Sequence, residues 1–132
     1  MVSHDEWTAA QDETTVTVDG HDCSLAYWEA SAANDGPPVV FLHGIPTWSY
    51  LWRDVAPALA EDRHVLAVDL VGYGNSAMHD GFDRSIRAQE VALADFLADE
   101  DAVDLVGHDI GGGVALRYAS HRPDAVDRLV LS

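Results

Sequence analysis

The sequence predicts an α/β protein whose sheet is mostly parallel, with an antiparallel hairpin at its amino-terminal end. Three observations lead there. Short apolar and β-branched runs alternate with stretches of helical apolar spacing, a pattern that implies right-handed crossovers between parallel strands. The β-branched run Thr14–Val18 is followed at once by Asp19-Gly20, a pair that favours tight hairpin turns. Two apolar runs end in glycine-bearing turns, as strands do when they deliver residues to the carboxyl edge of a sheet.

Residues 1–13 are expected to be flexible. Thr14–Val18 is the first strand, and Cys23–Glu29 returns beside it. Ser31–Pro38 is small, polar and proline-ended, which suits a surface loop. An apolar strand then runs from Val39 into the turn His43-Gly44-Ile45-Pro46. Within Trp48–Ala60 the apolar residues Leu51, Trp52, Val55, Leu59 and Ala60 fall at near-helical spacing. That stretch is expected to be a helix with an irregular end, because Pro57 must kink or restart it. His64–Asp69 is the fourth strand, and the glycine-rich Gly72–Ser76 stretch shapes the loop after it. Ser85–Leu97 is helical, with Ile86, Val91, Leu93, Ala94 and Leu97 set against Arg84, Arg87, Glu90 and Asp95. Val103–Gly107 is the fifth strand, Gly111–His121 the next helix, and Val126–Ser132, after Pro123, the sixth strand. The chain shows no internal repeat or linker and reads as part of a single domain spanning 1–132.

The fifth strand carries the chemistry. Gly107-His108-Asp109-Ile110-Gly111 places an acid in a sharp strand-to-helix turn whose flanking positions must be small. Backbone strain there exposes the carboxylate beside a helix amino terminus, where Asp109 is placed to act as a nucleophile. The simpler alternative is an acid that only caps the following helix. In the His43–Pro46 turn, Pro46 has no N–H, so the donor that can face Asp109 is the peptide N–H of Ile45. With the N–H of Ile110 it would form an oxyanion hole. His43, Gly44, Gly107, His108 and Gly111 are the supporting turn residues. His43 and His108 belong to the motifs themselves and suit packing beneath the turn better than a base that must reach water.

Together with Asp69-Leu70-Val71-Gly72-Tyr73-Gly74-Asn75-Ser76, these stretches resemble the α/β-hydrolase family from about Thr14 to Ser132. Within it, the run from His43 to Arg53 is most similar to haloalkane dehalogenases, while Asp109 fits both those enzymes and the related epoxide hydrolases. The resemblance implies a hydrolase that forms a covalent ester on Asp109 with a small apolar haloalkane or epoxide. No metal or organic cofactor is implied. The family's sheet usually has eight strands, and its catalytic acid and histidine follow the sixth and later strands. The chain is therefore expected to be an amino-terminal portion, truncated after the sixth strand. Dehalogenases of this branch hold the halide with an asparagine at the position of Ile45 and a tryptophan at that of Ile110, and both are isoleucine here. The alternative is a non-catalytic or incomplete member that binds a ligand or is inactive.

Composition narrows the partners. Against 23 acidic side chains stand seven basic ones, all arginine, for a formal net charge of −16. Such a surface disfavours nucleic acid and anionic membranes. It suits a halophilic cytoplasm, where screening acts over roughly 3 Å at 1 M salt. Cys23 is the single cysteine, which rules out an internal disulfide, and it is expected to be a buried or half-buried strand residue. Met1–Glu6 lacks the basic and apolar regions of a signal peptide, and no run approaches the ~20 apolar residues of a membrane span. A soluble cytoplasmic protein is expected. An open edge at the sixth strand would offer pairing to a second copy or a partner chain.

Overall fold

A computed structural model describes residues 2–132. Its strands are β1 (Gln11–Val18), β2 (His21–Ala30), β3 (Val39–Leu42), β4 (Val65–Val68), β5 (Val103–Gly107) and β6 (Val126–Leu131). They form one sheet in the order β1-β2-β4-β3-β5-β6. The β1/β2 and β2/β4 pairs are antiparallel, whereas β4, β3, β5 and β6 run parallel. The mixed sheet read from the sequence is thus the one observed. At the hairpin turn Asp19 and Gly20 have φ of 51° and 81°. Positive φ at both central residues is what a two-residue turn matched to strand twist requires, which is why Asp-Gly stands there.

Every residue of β3 and β4 is buried, as expected of strands covered on both faces. Side-chain alternation divides them between two cores. Val40 and Leu42 join Leu66, Val68, Leu93, Leu105 and Val114 on one face, while Val39 and Phe41 join Val65, Ala67 and Ala56 on the other. Cys23 is buried in the first of these. The chain leaves β3 toward β4 on one side and leaves β5 toward β6 on the other. Their carboxyl ends therefore diverge and open a crevice, the usual ligand position in such sheets.

The helices are α1 (His4–Ala10), α2 (Ala56–Leu59), α3 (Ile86–Phe96) and α4 (Ile110–His121), with a 3₁₀ turn at Ser49–Trp52. Between Trp48 and Ala60 there is no continuous helix but the 3₁₀ turn followed by α2, with Pro57 in the first turn of α2, where its missing N–H goes unneeded. Ser85 caps α3 by accepting a hydrogen bond from the Ala88 N–H at 3.1 Å.

One expectation is corrected at the amino terminus. Residues 4–10 of the supposedly flexible segment 1–13 form α1, residues 11–13 begin β1, and Met1 lies outside the described residues. Ser3 and Glu6 make a reciprocal capping box, and buried Trp7 stacks on Trp28 at 5.0 Å while donating to Ser49 Oγ at 2.9 Å. Capping satisfies the orphan amides, and the indole buries a large apolar area, which together hold so short a helix in place.

Helix α4 is tied to α3 by a single acid. Glu90, almost fully buried, accepts from Arg117 Nε at 2.6 Å, Arg122 at 2.7 Å and His121 Nδ1 at 2.7 Å. Burial alone would push its carboxyl up, but hydrogen bonds from His121, Arg117 and Arg122 prevail and hold it below the ordinary value. Arg87 bridges Asp19 of the hairpin and Asp83, and Arg63 pairs with Asp104. Along β6 the side chains of Val130 and Leu131 are about half exposed. Among the described residues no helix is long and apolar enough to cross a membrane.

Candidate active site

Asp109 stands between β5 and α4 with φ 55° and ψ −122°. Non-glycine residues avoid this region, and such strain persists only where the surroundings enforce it. Here they do so by close approach of backbone. A Cβ on Gly107 would lie 2.5 Å from the Gly111 carbonyl oxygen, and one on Gly111 would overlap the carbonyl oxygens of Leu42 and His43. Gly44 is equally constrained, since a Cβ there would come within 2.7 Å of the Asp109 Cβ. The His108 N–H donates to the Leu42 carbonyl at 3.1 Å and fastens the turn to β3.

The Asp109 side chain makes no capping hydrogen bond to the turn of α4 ahead of it. It reaches instead across the crevice, where the Ile45 N–H donates to Oδ2 at 2.9 Å. Backbone N–H groups, that of Ile45 first and then that of Ile110, hold its carboxyl below the ordinary value. The geometry thus brings Ile45, Asp109 and Ile110 together, with Gly44, Gly107, His108 and Gly111 packed around them. The arrangement differs from that of a simple helix cap.

His43 lies beneath this turn, fully buried. Its Nδ1 donates to the Gly44 carbonyl at 3.0 Å, and its Nε2 accepts the Leu70 N–H at 2.9 Å. With both ring nitrogens engaged it serves the framework. Burial lowers its pKa from 6.5, and the Gly44 hydrogen bond and the Asp69 charge only partly oppose this. The unfolded chain therefore binds a proton that the folded chain resists, so this histidine's contribution to stability is complete above about pH 6.5 and is lost as pH falls toward its folded value. The expected result is a urea midpoint that drops between pH 7 and 5. The His43 ring should remain neutral by NMR over the upper part of that range.

Sequence reading singled out the Asp69–Ser76 stretch but not what Asp69 does. Fully buried, its carboxylate accepts from the Ser49 N–H, the Asn75 N–H and Gln11 Nε2, each at 2.9 Å. Gly74, with φ 54°, lets the loop wrap around it. Ser76 Oγ donates to the Asp69 carbonyl at 2.6 Å and accepts from the Ala26 N–H at 2.9 Å. Gly72, Gly74 and Ser76 therefore shape the loop, as expected. An acid closing an apolar strand before a glycine turn, the signal that marked Asp109, was present at Asp69 too. Trp48, Tyr50 and Trp52 pack against the second core.

A mixed sheet with a strained, glycine-flanked acid at a strand-to-helix turn, faced by a backbone donor from the neighbouring turn, defines an α/β protein with its crevice at the carboxyl edge of the parallel strands. The profile of the α/β hydrolase fold family matches residues 37–132, and the chain belongs to that family. It is 43% identical over 100 residues to the soluble epoxide hydrolase of Corynebacterium sp. (strain C12), a match covering 75% of this chain and 35% of that protein. It is 38% identical over 106 residues to a haloalkane dehalogenase of Bradyrhizobium diazoefficiens, covering 78% and 33%. Among solved structures, a putative ancestral haloalkane dehalogenase superposes with a TM-score of 0.78 at 36% identity, over 89% of this chain and 40% of that one. The chain spans about a third of the length of these curated relatives.

Proposed function

We propose that this chain carries the nucleophile of a hydrolase that works through a covalent aspartyl ester. One Asp109 oxygen attacks an sp³ carbon bearing an epoxide oxygen or a halide, that bond to carbon breaks as the ester forms, and water then cleaves the ester at its carbonyl. The observation that carries the reading is the carboxylate in its strained turn with Oδ2 on the Ile45 N–H, which leaves the other oxygen free to attack. Hydrogen bonding keeps the group ionised. When water adds to the ester, the N–H groups of Ile45 and Ile110 face the developing oxyanion. A histidine base and an acid to orient it, which the family resemblance leads us to expect after the sixth strand, would complete that second step.

An epoxide is the favoured substrate class. Ile45 and Ile110 give no side-chain N–H to a departing halide, and the soluble epoxide hydrolase likeness points the same way. The second reading, a haloalkane, is favoured by the run from Pro46 to Arg53 and by the relatives named haloalkane dehalogenase. Single turnover in ¹⁸O-water tests the mechanism for both. Heavy oxygen in the Asp109 carboxylate, or an intact ester on Asp109 where hydrolysis is slow, is expected by peptide mass spectrometry. Label in the product alone, with Asp109 unmodified, overturns the reading.

A further inference from the structure

We propose that Thr47 is a positioning residue that aims the Ile45 N–H at Asp109 by holding the other side of the same peptide group. The inference rests on the assignment of Asp109 above and adds a residue to that site.

A peptide unit is planar, so fixing its carbonyl fixes its N–H. The Gly44–Ile45 peptide has little else to hold it. Gly44 offers no side chain and has no room for one, because a Cβ would run into Asp109. The Ile45 side chain is about half exposed. Pro46, next in sequence, has no N–H with which to anchor the turn or to replace the Ile45 donor. What does hold the peptide lies on its carbonyl side, where three donors converge on the Gly44 oxygen. They are Thr47 Oγ1 at 2.8 Å, the Thr47 N–H at 3.0 Å and His43 Nδ1 at 3.0 Å. Two come from Thr47, and its hydroxyl is the shortest of the three. A carbonyl oxygen has two lone pairs, so this one is saturated and its direction is over-determined. The Ile45 N–H, on the far side of the plane, reaches Asp109 Oδ2 at 2.9 Å. A hydroxyl bonded back to the carbonyl three residues earlier is an ordinary turn device. Here the peptide that it fixes is the one that meets the carboxylate.

Thr47→Val removes the hydroxyl while keeping the shape, and Thr47→Ser restores it. The test is the titration of the Asp109 carboxyl by ¹³C NMR in the three proteins, with their thermal midpoints measured alongside. In Thr47→Val the Asp109 pKa is expected to rise by about half a unit as the Ile45 bond loosens, and in Thr47→Ser to return to the parent value. An unchanged titration in a folded Thr47→Val overturns the proposal. So does a shift in Thr47→Ser, and Thr47→Ala, which also lacks the hydroxyl, takes the place of Thr47→Val if that variant does not fold. Neither readout requires turnover, so an unlabelled Asp109 in the ¹⁸O experiment would sink the nucleophile assignment while leaving this result standing.

Discussion

Gly111→Ala is expected to destabilise the chain by at least about 3 kcal/mol, at the upper end of what overpacking costs. The added Cβ would overlap the carbonyl oxygens of Leu42 and His43. Both are backbone atoms at the end of a central strand, so relief requires moving β3 or α4 and cannot come from a side-chain rotation. The neighbouring Gly112→Ala is the control. A Cβ there meets the Gly107 carbonyl oxygen at 3.5 Å and the Leu131 side chain at 3.7 Å, which are ordinary contacts. Alanine in a helix gains up to about 1 kcal/mol over glycine, so this variant should be neutral or stabilised. Urea denaturation of the two at matched salt separates close backbone approach from helix propensity. Equal midpoints would show that the elbow is not held by the packing described.

Asp69→Ala is expected to cost about 3 kcal/mol. Three donors lose their acceptor, and a buried unsatisfied donor costs about 1–3 kcal/mol. The Ser49 N–H suffers most, because it is buried, while Gln11 and Asn75 sit nearer solvent and recover part of their hydration. Asp69→Asn keeps the volume but turns an NH₂ toward other N–H groups, so it should lie between the parent and Asp69→Ala. The measurement is again the urea midpoint. An Asp69→Ala protein as stable as the parent would mean that Asp69 does not organise the three segments that it touches.

Elements with local signals were legible from sequence. The hairpin followed from Asp19-Gly20, whose left-handed conformations few other pairs tolerate, and β3 and β5 followed from apolar runs stopped by Gly44 and Gly107. The turn at Asp109 was legible because Gly107 and Gly111 flank the acid in sequence, although Gly111 answers to the carbonyls of Leu42 and His43, far along the chain. What escaped depends on distant partners. Helix α1 has only seven residues, and its anchor Trp7 meets Trp28 and Ser49, far along the chain. Its Ser3-x-x-Glu6 capping box was nonetheless readable. The helix expected over Trp48–Ala60 gave way because Trp48, Tyr50 and Trp52 turn into the second core together, which helical spacing does not allow for. Asp69 takes its donors from three separate segments, and Thr47 acts through a peptide two residues before it, so neither role leaves a periodic trace.

The arginine pairings carry a consequence for mutational robustness. Arg63, Arg87, Arg117 and Arg122 each stand on a carboxylate where two elements meet, and the chain has no lysine to take over. In a protein of ordinary composition, a lost surface cation leaves neighbours that swing in as substitutes. Here Glu90 keeps two of its three basic partners when one is lost and Asp104 keeps Arg128 at 4.0 Å, but a neutral residue at Arg87 leaves Asp19 and Asp83 facing each other with no other arginine paired to either among the described residues. The Arg87 junction is therefore the one without a substitute, and its tolerance to mutation depends on the cations dissolved around the protein.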